Sequence, residues 1–322
     1  MKKKSRLVVA GGTGFLGEVI CDQLAGQFDE VFVLTRYAHP RKGKIQFLEW
    51  DGRHTGPWMK SIDGCDLLIN MAGRSVNCRY TEQNKKEILE SRINSTMILG
   101  AAVIMANNPP AVWINSSTAT IYAHTTDKPN DETSARIGDD FSMRVAKAWE
   151  NTLFDIPTPG TRKIAMRSSI VMGKKGGVLP VLRKLALRGL GGKQGDGKQM
   201  VSWIHEEDFV RAISFCYQHE DLEGPINVVA PHAVTNEVFT RSIRHHLGAL
   251  IHFPMSEWML QLGAIWMQTQ SELILKSRWV YPGKLMEAGF QFHYPTIEKT
   301  LQNLIHESPL QSSSESVVVP AL

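Results

Sequence analysis

Residues 11–17 have the sequence G-G-T-G-F-L-G, and this stretch decides the fold. The apolar run from Arg6 to Ala10 comes directly before it and is typical of a buried strand. The stretch from Phe15 to Gln27 follows it, with leucine and isoleucine at helical spacing. A glycine string says little alone, but between a strand and a helix it predicts a tight strand–turn–helix unit.

This turn is suited to hold a diphosphate. Glycines let the backbone turn sharply and approach an anion, and the N-terminus of the helix offers N–H groups and a positive dipole. Gly17 would let the helix pack closely on the sheet. We therefore expect a dinucleotide on this turn rather than a tight turn that binds nothing. The expected contacts come from Gly11, Gly12, Thr13, Gly14, Phe15, Leu16 and Gly17.

The end of the second strand indicates which dinucleotide binds. An NAD site needs Asp or Glu there to accept the ribose 2′-OH, but this chain has Thr35 and Arg36. Asp29 and Glu30 precede the strand and so lie at its wrong end. Because a guanidinium suits a 2′-phosphate, the sequence predicts NADP(H). The alternative is an exposed Arg36 that binds no ligand.

Short apolar runs alternate with helical stretches through residue 168. The remaining strands are expected at Val31–Thr35, Ile45–Trp50, Asp66–Ala72, Ala111–Ser116 and Lys163–Ser168. The longest helices are expected at Gln83–Ala106 and Phe141–Phe154. This alternation predicts an α/β fold, a Rossmann doubly wound parallel sheet with helices on both faces.

The pattern loosens after residue 168, which predicts a second, smaller unit. The Rossmann domain is expected to cover residues 1–169 and to continue at about 200–230. Residues 170–199 and 231–307 are expected to form a C-terminal substrate lobe. Residues 308–322 begin S-P-L-Q-S-S-S-E-S, a low-complexity run that predicts a disordered tail.

Composition and charge indicate which binding partners and which cellular compartment to expect. The chain has 322 residues and a net charge of only +4, so it has a weak electrostatic footprint for nucleic acid. We expect no membrane span and no metal, and a monomer or homodimer. None of the four cysteines forms a C-x-x-C pair, which favours reduced thiols in a cytoplasmic protein.

Further motifs carry a family resemblance. They are L-I-N-M-A-G at residues 68–73, I-N-S-S-T-A-T-I-Y at 114–122, R-S-S-I-V-M-G at 167–173 and S-W-I-H-E-E-D at 202–208. Together with the glycine turn they resemble the extended short-chain dehydrogenase/reductases. More narrowly, the chain resembles their atypical, epimerase-like branch, through Tyr80 to Arg92, Gly189 to Gln199 and Leu285 to Phe292. The resemblance covers about residues 5–306.

The resemblance implies further cofactor contacts. These would come from Met71, Ala72, Gly73, Glu87, Arg92 and Ser116. Helical spacing places Leu89, Ile93, Met97 and Ile104 on the buried face of the long helix, with Arg92 at its border. A half-buried arginine usually has an anionic partner, so a structural salt bridge is the alternative role for Arg92.

Hydride-transferring members of the superfamily that the chain resembles use a Ser/Thr, a Tyr and a Lys, the last two spaced Y-x-x-x-K, and the atypical branch commonly lacks the Tyr and Lys. Thr118 holds the Ser/Thr place, but Ser142 and Ala146 stand where the tyrosine and lysine belong. We consider three substitutes, which are Tyr122, Lys147 and His205. Tyr122 would reach the mouth of the cleft, and the alternatives are packing for Tyr122, a turned-away Lys147 and a structural His205. Asp208 is expected to cap the helix after His205.

Two functions from different classes remain open. The first is an NADP(H)-dependent oxidoreductase or epimerase-like enzyme that acts on an unknown small polar or nucleotide-sugar-like substrate. The second is a non-catalytic NADP(H)-binding sensor or scaffold, which the missing Tyr and Lys favour. Nucleic-acid binding by the basic loops is a distant third.

Overall fold

Buried apolar strands build the core of this computed structural model, which describes residues 4–37, 39–134, 136–249 and 276–306. The strands are β1 (Arg6–Ala10), β2 (Glu30–Thr35), β3 (Ile45–Glu49), β4 (Leu67–Asn70), β5 (Val112–Thr118), β6 (Arg162–Ser168), β7 (Ile170–Met172), β8 (Met200–Val201), β9 (Trp203–His205), β10 (Gly224–Val228) and β11 (Val234–Thr235). Seven of them form one parallel sheet in the order β10-β6-β5-β4-β1-β2-β3. The order reverses between β1 and β4, which makes the sheet doubly wound and confirms the predicted α/β Rossmann fold.

Helices cover both faces of this sheet. They are α1 (Phe15–Leu24), α2 (Glu82–Met105), α3 (Phe141–Asp155), α4 (Leu179–Leu187), α5 (Glu206–Gln218), α6 (Asn236–Leu247), α7 (Gly283–Glu287) and α8 (Ile297–Leu301). Leu7 and Val9 of β1 join one buried cluster with α1 and α5, while Val8 and Ala10 join another with α2 and α3. Alternate side chains of β1 thus pack into two different cores, one on each face of the sheet, as expected for a sheet that is buried on both faces.

The buried face of α2 differs from the prediction. Met97 and Ile104 are 56% and 55% exposed, whereas Leu99, Gly100 and Val103 are buried. A Cβ on Gly100 would lie 2.9 Å from Cγ2 of Ile156, so the helix packs through its small residues rather than its largest ones. Spacing alone could not distinguish these two stripes, because both contain apolar residues three and four positions apart.

Helix α2 is also long and apolar enough to cross a bilayer by length and composition. In this structure it packs on α3 and contributes to the core beneath the sheet, as a core helix of a globular domain does. The expectation of no membrane span therefore stays a prediction.

The chain beyond β6 builds a smaller layer beside the sheet. Strand β7 pairs with β9, β8 pairs with β11, and α4 and α6 pack together over a third buried cluster. Strand β10 returns to the central sheet beside β6. Helix α4 was not predicted, because it lies between two glycine- and lysine-rich loops. The whole of the expected tail at 308–322 and part of the expected lobe, at 250–275, lie outside the described residues. The division into domains stays a prediction.

Candidate functional site

Three glycines of the turn differ in what a side chain at each position would meet. Gly11 has φ 75°, and a Cβ there would lie 2.9 Å from the backbone of Ala72. A Cβ on Gly17 would overlap the backbone of Gly12, so this glycine brings α1 onto the turn. Gly14 differs, because the nearest atom to its Cβ position is 3.8 Å away. The protein itself does not require glycine at position 14, which leaves an open cradle above the turn.

The first turn of α1 faces this cradle. Its N-cap is Gly14, and among the described residues no side chain caps it. The first N–H groups of any α-helix lack intrahelical partners, and the positive end of the helix dipole lies beside them. An anion placed over Gly14 would satisfy both, so the arrangement fits the diphosphate of a dinucleotide.

Two other loops meet the glycine turn at this edge of the sheet. The N–H of Gly11 donates to the carbonyl of Leu34 at 3.0 Å, which ties the turn to the end of β2. The N–H of Met71 donates to Ala10 at 2.9 Å, which ties it to the end of β4. The structure therefore brings the predicted residues of the glycine turn close to Thr35 and Arg36 at the end of β2. It also brings the turn close to Met71–Gly73, which follow β4.

The end of β2 is followed by an exposed cation, Arg36. Thr35 is 4% exposed, and its carbonyl accepts a hydrogen bond from the N–H of Trp50 at 2.8 Å. Arg36 is exposed, with its guanidinium carbon 5.8 Å from the ring centre of Tyr37. Glu30 lies at the other end of the strand and pairs with Arg6 at 2.8 Å. The end of β2 thus carries an arginine where an NAD site would have a carboxylate.

Arg92 of α2 lies against the loop after β4. Its Nη1 donates to the carbonyls of Arg74 at 3.0 Å and Ile88 at 2.9 Å. Its guanidinium carbon is 5.0 Å from the Trp149 ring centre and 3.3 Å from the Cβ position of Gly73. Burial lowers the pKa of Arg92 to about 10, so it stays charged near neutral pH. Within the described residues no carboxylate pairs with it, so the structure gives no support to the salt-bridge alternative.

Glu87 has a different environment from the one expected. Its carboxylate pairs with the guanidinium of Arg74 and accepts a hydrogen bond from Gln83. Arg74 also donates to Asn84 at 2.8 Å, so the loop after β4 is tied to the start of α2. These contacts give Glu87 a part in shaping that loop, and a direct contact with the cofactor stays a prediction.

A buried polar network joins the end of β4 to the middle of β5, and sequence reasoning missed it. Asn70 and Asn115 are partners in the strand register, and Nδ2 of Asn70 donates to Oδ1 of Asn115 at 2.7 Å. Thr96 of α2 adds bonds to both, and Trp149 donates to Thr96 at 3.1 Å. The signal was present in L-I-N and I-N-S, because one asparagine ends each of two neighbouring apolar runs.

The expected catalytic hydroxyl lies at the end of β5. Oγ1 of Thr118 accepts from the N–H of Thr120 at 3.2 Å and lies 3.0 Å from the Thr120 hydroxyl. Ser116, two residues earlier on the same side of the strand, is half-buried, and its carbonyl accepts from Asn115 at 2.9 Å. Both therefore lie at the carboxyl edge of the sheet, as a cofactor site there requires.

The place of the family lysine is filled by an apolar core. Ala146 is fully buried in a cluster with Ala119, Ile121 and Val229. Ser142, at the tyrosine place, is half-buried in the first turn of α3. A lysine at position 146 would start from this buried apolar cluster, which does not favour a charged side chain.

Tyr122 does not reach the mouth of the cleft, so that expectation is wrong. It is 0% exposed; its hydroxyl donates to Oδ1 of Asn227 at 2.9 Å and accepts from Nη1 of Arg167 at 2.8 Å. Burial raises the pKa of Tyr122, which opposes a role in proton transfer. A tyrosine just past the end of a strand can point toward the cleft or into the core. The hydrogen bonds to Arg167 and Asn227 hold the Tyr122 side chain in the core.

The other two substitutes are also engaged elsewhere. Lys147 pairs with Asp139 at 3.0 Å on the surface of α3. His205 caps α5, because its Nδ1 accepts from the N–H of Glu207 at 3.0 Å. The expectation that Asp208 caps this helix is therefore wrong. Asp208 lies in the first turn instead and accepts from the N–H of Tyr294 at 2.8 Å.

Comparisons with known proteins agree with this geometry. The sequence profile of the NAD dependent epimerase/dehydratase family matches residues 7–230, and that of a domain of unknown function, DUF1731, matches residues 255–304. The epimerase family protein YfhF of Bacillus subtilis is 31% identical over 93% of this chain and 97% of its own length.

Two solved structures extend the likeness. The human epimerase family protein SDR39U1, solved with NADPH, has a TM-score of 0.82 at 26% identity and covers 93% of this chain and 99% of its own. A nucleoside-diphosphate sugar epimerase from Corynebacterium glutamicum has a TM-score of 0.75 at 27% identity, covering 94% of this chain and 58% of that chain. With the glycine turn, the strand order and these matches in agreement, this chain belongs to the NAD dependent epimerase/dehydratase family.

Proposed function

We propose that this protein binds NADP(H) along the carboxyl edge of the sheet and acts as an oxidoreductase or epimerase-like enzyme on a small polar or nucleotide-sugar-like substrate. The observation that carries the binding is the open cradle over Gly14 beside a helix N-terminus that no described side chain caps. Arg36 on the ribose side supports the phosphorylated form of the cofactor, and the human relative solved with NADPH supports the same choice.

The chain's own residues divide the work of binding. The N–H groups of the first turn of α1 hold the diphosphate, and Arg36 holds the 2′-phosphate. Arg92 supplies a second cation at the loop after β4, close to Gly73. The bound cofactor would supply or accept hydride, and Thr118 at the end of β5 would orient the substrate oxygen. The proton must come from a group other than Tyr122, whose hydroxyl is already bonded inside the core.

The cofactor choice is tested by calorimetry with NADPH and NADH. We expect Arg36→Ala to weaken NADPH binding by about 1–3 kcal/mol, the scale of charged hydrogen bonds, and to leave NADH binding nearly unchanged. Arg188→Ala, at an exposed arginine after α4, is the matched control and is expected to change neither. Equal losses for both nucleotides would contradict the 2′-phosphate role.

The enzymatic part is tested separately with NADPH and a panel of carbonyls and quinones. Oxidation of NADPH above the blank, abolished by Thr118→Val while NADPH still binds, would support an enzyme. Tight binding with complete inertness would favour the second candidate, a cofactor-binding sensor or scaffold. That candidate rests on the burial of Ala146, because an apolar core now fills the place of the catalytic lysine.

The cellular compartment is part of the same proposal. All four cysteines are free, and the pKa values of the Cys21, Cys65 and Cys216 thiols are raised to about 12 by burial. Unpaired thiols fit a reducing compartment, so we place the protein in the cytoplasm.

A further inference from the structure

Helix α4 and the loop after it carry the protein's excess positive charge. Residues 179–198 contain five lysines and arginines and one carboxylate, Asp196. This local excess equals the net charge of +4 of the whole chain, so the remaining residues are neutral in sum. An uneven distribution of this kind draws anionic partners to one side of a molecule. The positive side of this protein is therefore the layer that contains α4.

Three of these cations stand on α4 without a partner. Arg183 and Lys184 lie on the helix and Arg188 ends it, and all three are exposed. Within the described ranges, no hydrogen bond or ion pair joins their side chains to another residue. Helix α4 contains no carboxylate, and Asp196 accepts instead from the N–H of Lys198 at 2.9 Å in the following loop. The three charges on α4 are thus available to an external anion.

Apolar side chains stand among these cations on the exposed face of α4. Leu187 is 59% exposed and Val181 is 41% exposed. The other face of the helix is already used, because Leu179 and Ala186 pack with α6 in the third buried cluster. Cations and large aliphatic side chains therefore share the face that α4 turns to solvent.

The end of α4 adds a third exposed aliphatic side chain. Gly189 has φ 77°, its N–H donates to the carbonyl of Ala186 at 3.0 Å, and the N–H of Leu190 donates to that of Leu185 at 2.9 Å. These two bonds form a Schellman motif, in which a left-handed glycine ends the helix. The apolar residue after the glycine commonly packs back on the last turn of the helix, yet Leu190 is 37% exposed. The cap thus holds Leu190 at the surface, three residues after Leu187.

A lipid bilayer with anionic headgroups fits this combination of side chains. Lysine and arginine bind headgroup phosphates, while leucine and valine enter the boundary between the headgroups and the acyl chains. Proteins that bind single-stranded nucleic acid add aromatic side chains that stack on bases, and residues 174–202 contain no Phe, Tyr or Trp. The cytoplasmic leaflet is rich in anionic lipids, which agrees with the compartment proposed above.

We propose that the exposed face of α4 docks this protein on an anionic membrane surface. Arg183, Lys184 and Arg188 contact the headgroup phosphates, and Leu187 and Leu190 enter the boundary with the acyl chains. The docking is peripheral and reversible, because one short helix buries little apolar area in the bilayer. It goes beyond the proposed function and does not depend on it, since none of these residues belongs to the candidate cofactor site.

Sedimentation with vesicles tests the docking. The full chain is mixed with vesicles of equal parts phosphatidylcholine and phosphatidylglycerol, and with vesicles of phosphatidylcholine alone. We expect it to sediment with the anionic vesicles only and to be released by added salt. Arg183→Gln/Lys184→Gln/Arg188→Gln should bind the anionic vesicles at least about tenfold more weakly, because each cation near a charged surface adds to the attraction. Leu187→Gln keeps the three charges and should weaken binding about threefold or more.

Controls separate this docking from folding and from cofactor binding. Lys60→Gln/Lys86→Gln/Lys128→Gln removes the same charge at exposed positions outside α4 and should bind the vesicles as wild type does. The α4 triple variant should match wild type in urea unfolding and in NADPH affinity. Wild type that stays in solution with anionic vesicles, or an α4 triple variant that sediments like wild type, would refute the docking. Equal binding to a DNA duplex, with no effect of Leu187→Gln on either partner, would mark a general polyanion surface and refute the membrane proposal.

Discussion

Arg167 and Glu150 form a two-point ion pair inside the protein, with Nε to Oε1 at 2.8 Å and Nη2 to Oε2 at 2.7 Å. Their side chains are 8% and 7% exposed, and the pair joins β6 to α3. Burial works against the charged form of Arg167, but the hydrogen bond and charge of Glu150 hold the pKa of the guanidinium above its usual value. The third arm of Arg167 fixes the Tyr122 hydroxyl, so this tyrosine belongs to a structural network.

Tyr122→Phe is therefore expected to affect stability and not cofactor binding. It leaves the buried Oδ1 of Asn227 and one Nη of Arg167 without their hydroxyl partner, which costs about 1–3 kcal/mol of unfolding free energy. Urea unfolding measures the loss, and calorimetry with NADPH should show unchanged affinity. Lost turnover with unchanged stability would instead return Tyr122 to the catalytic candidates.

Gly14→Ala and Gly17→Ala are expected to separate binding from folding. A methyl group on Gly14 meets open space, so the unfolding free energy should change by only about 1 kcal/mol, the scale of an N-cap substitution. NADPH affinity should nevertheless fall at least tenfold, because the methyl fills the cradle. Gly17→Ala overlaps the turn backbone and should destabilise the protein measurably in the same urea titration. A large loss of stability with unchanged NADPH affinity in Gly14→Ala, or unchanged stability in Gly17→Ala, would contradict the roles given to these glycines.

Arg92→Met tests whether the half-buried cation serves the ligand. Its removal should cost about 1–2 kcal/mol of unfolding free energy, because Arg92 donates to the carbonyls of Arg74 and Ile88 and lies over the Trp149 ring. NADPH binding should weaken by about 1.5–3 kcal/mol, as expected for a lost charged hydrogen bond. Calorimetry and urea unfolding on the same preparation give both values. A large loss of stability with wild-type affinity would make Arg92 structural.

Two consecutive residues of β6 cap two helices on opposite faces of the sheet. Arg162 donates to the carbonyls of Cys216 at 2.9 Å and Tyr217 at 3.0 Å, at the end of α5. Lys163 donates to Leu153 at 3.0 Å and Ile156 at 2.7 Å, at the end of α3. We expect Arg162→Met and Lys163→Met each to cost about 1–2 kcal/mol of unfolding free energy. Because the helices are separate, the double variant should lose the sum, within about 0.5 kcal/mol.

His205 is expected to make stability depend on pH. Burial lowers the pKa of its imidazole, so the unfolded chain binds the proton more tightly than the folded one. Its contribution is thus present above about pH 6.5 and is lost as pH falls through the folded pKa. His205→Asn keeps a cap for α5 and should flatten the fall in unfolding free energy between about pH 7 and pH 5. His232→Asn, at an exposed position, should leave the slope as it is.

The sequence predicted what local patterns encode. The strand–turn–helix around Gly14, the arginine after β2 and the parallel sheet followed from spacing and residue type, and the missing pair at Ser142 and Ala146 followed from comparison with a family pattern. Long-range partners decided the rest. The direction of Tyr122 depends on residues far along the chain. Glu87 pairs with Arg74 because of the path that the loop after β4 takes. Helix α2 buries its small residues because Ile156 approaches Gly100.

The apolar surroundings of Ala146 close one evolutionary route. Replacing Ser142 with tyrosine and Ala146 with lysine would restore the dyad on paper, but the ammonium would enter a space filled by Ala119 and Ile121. Overpacking and the burial of an uncompensated charge would both oppose folding. Restoring the usual pair would therefore require changes in the surrounding cluster as well as at positions 142 and 146.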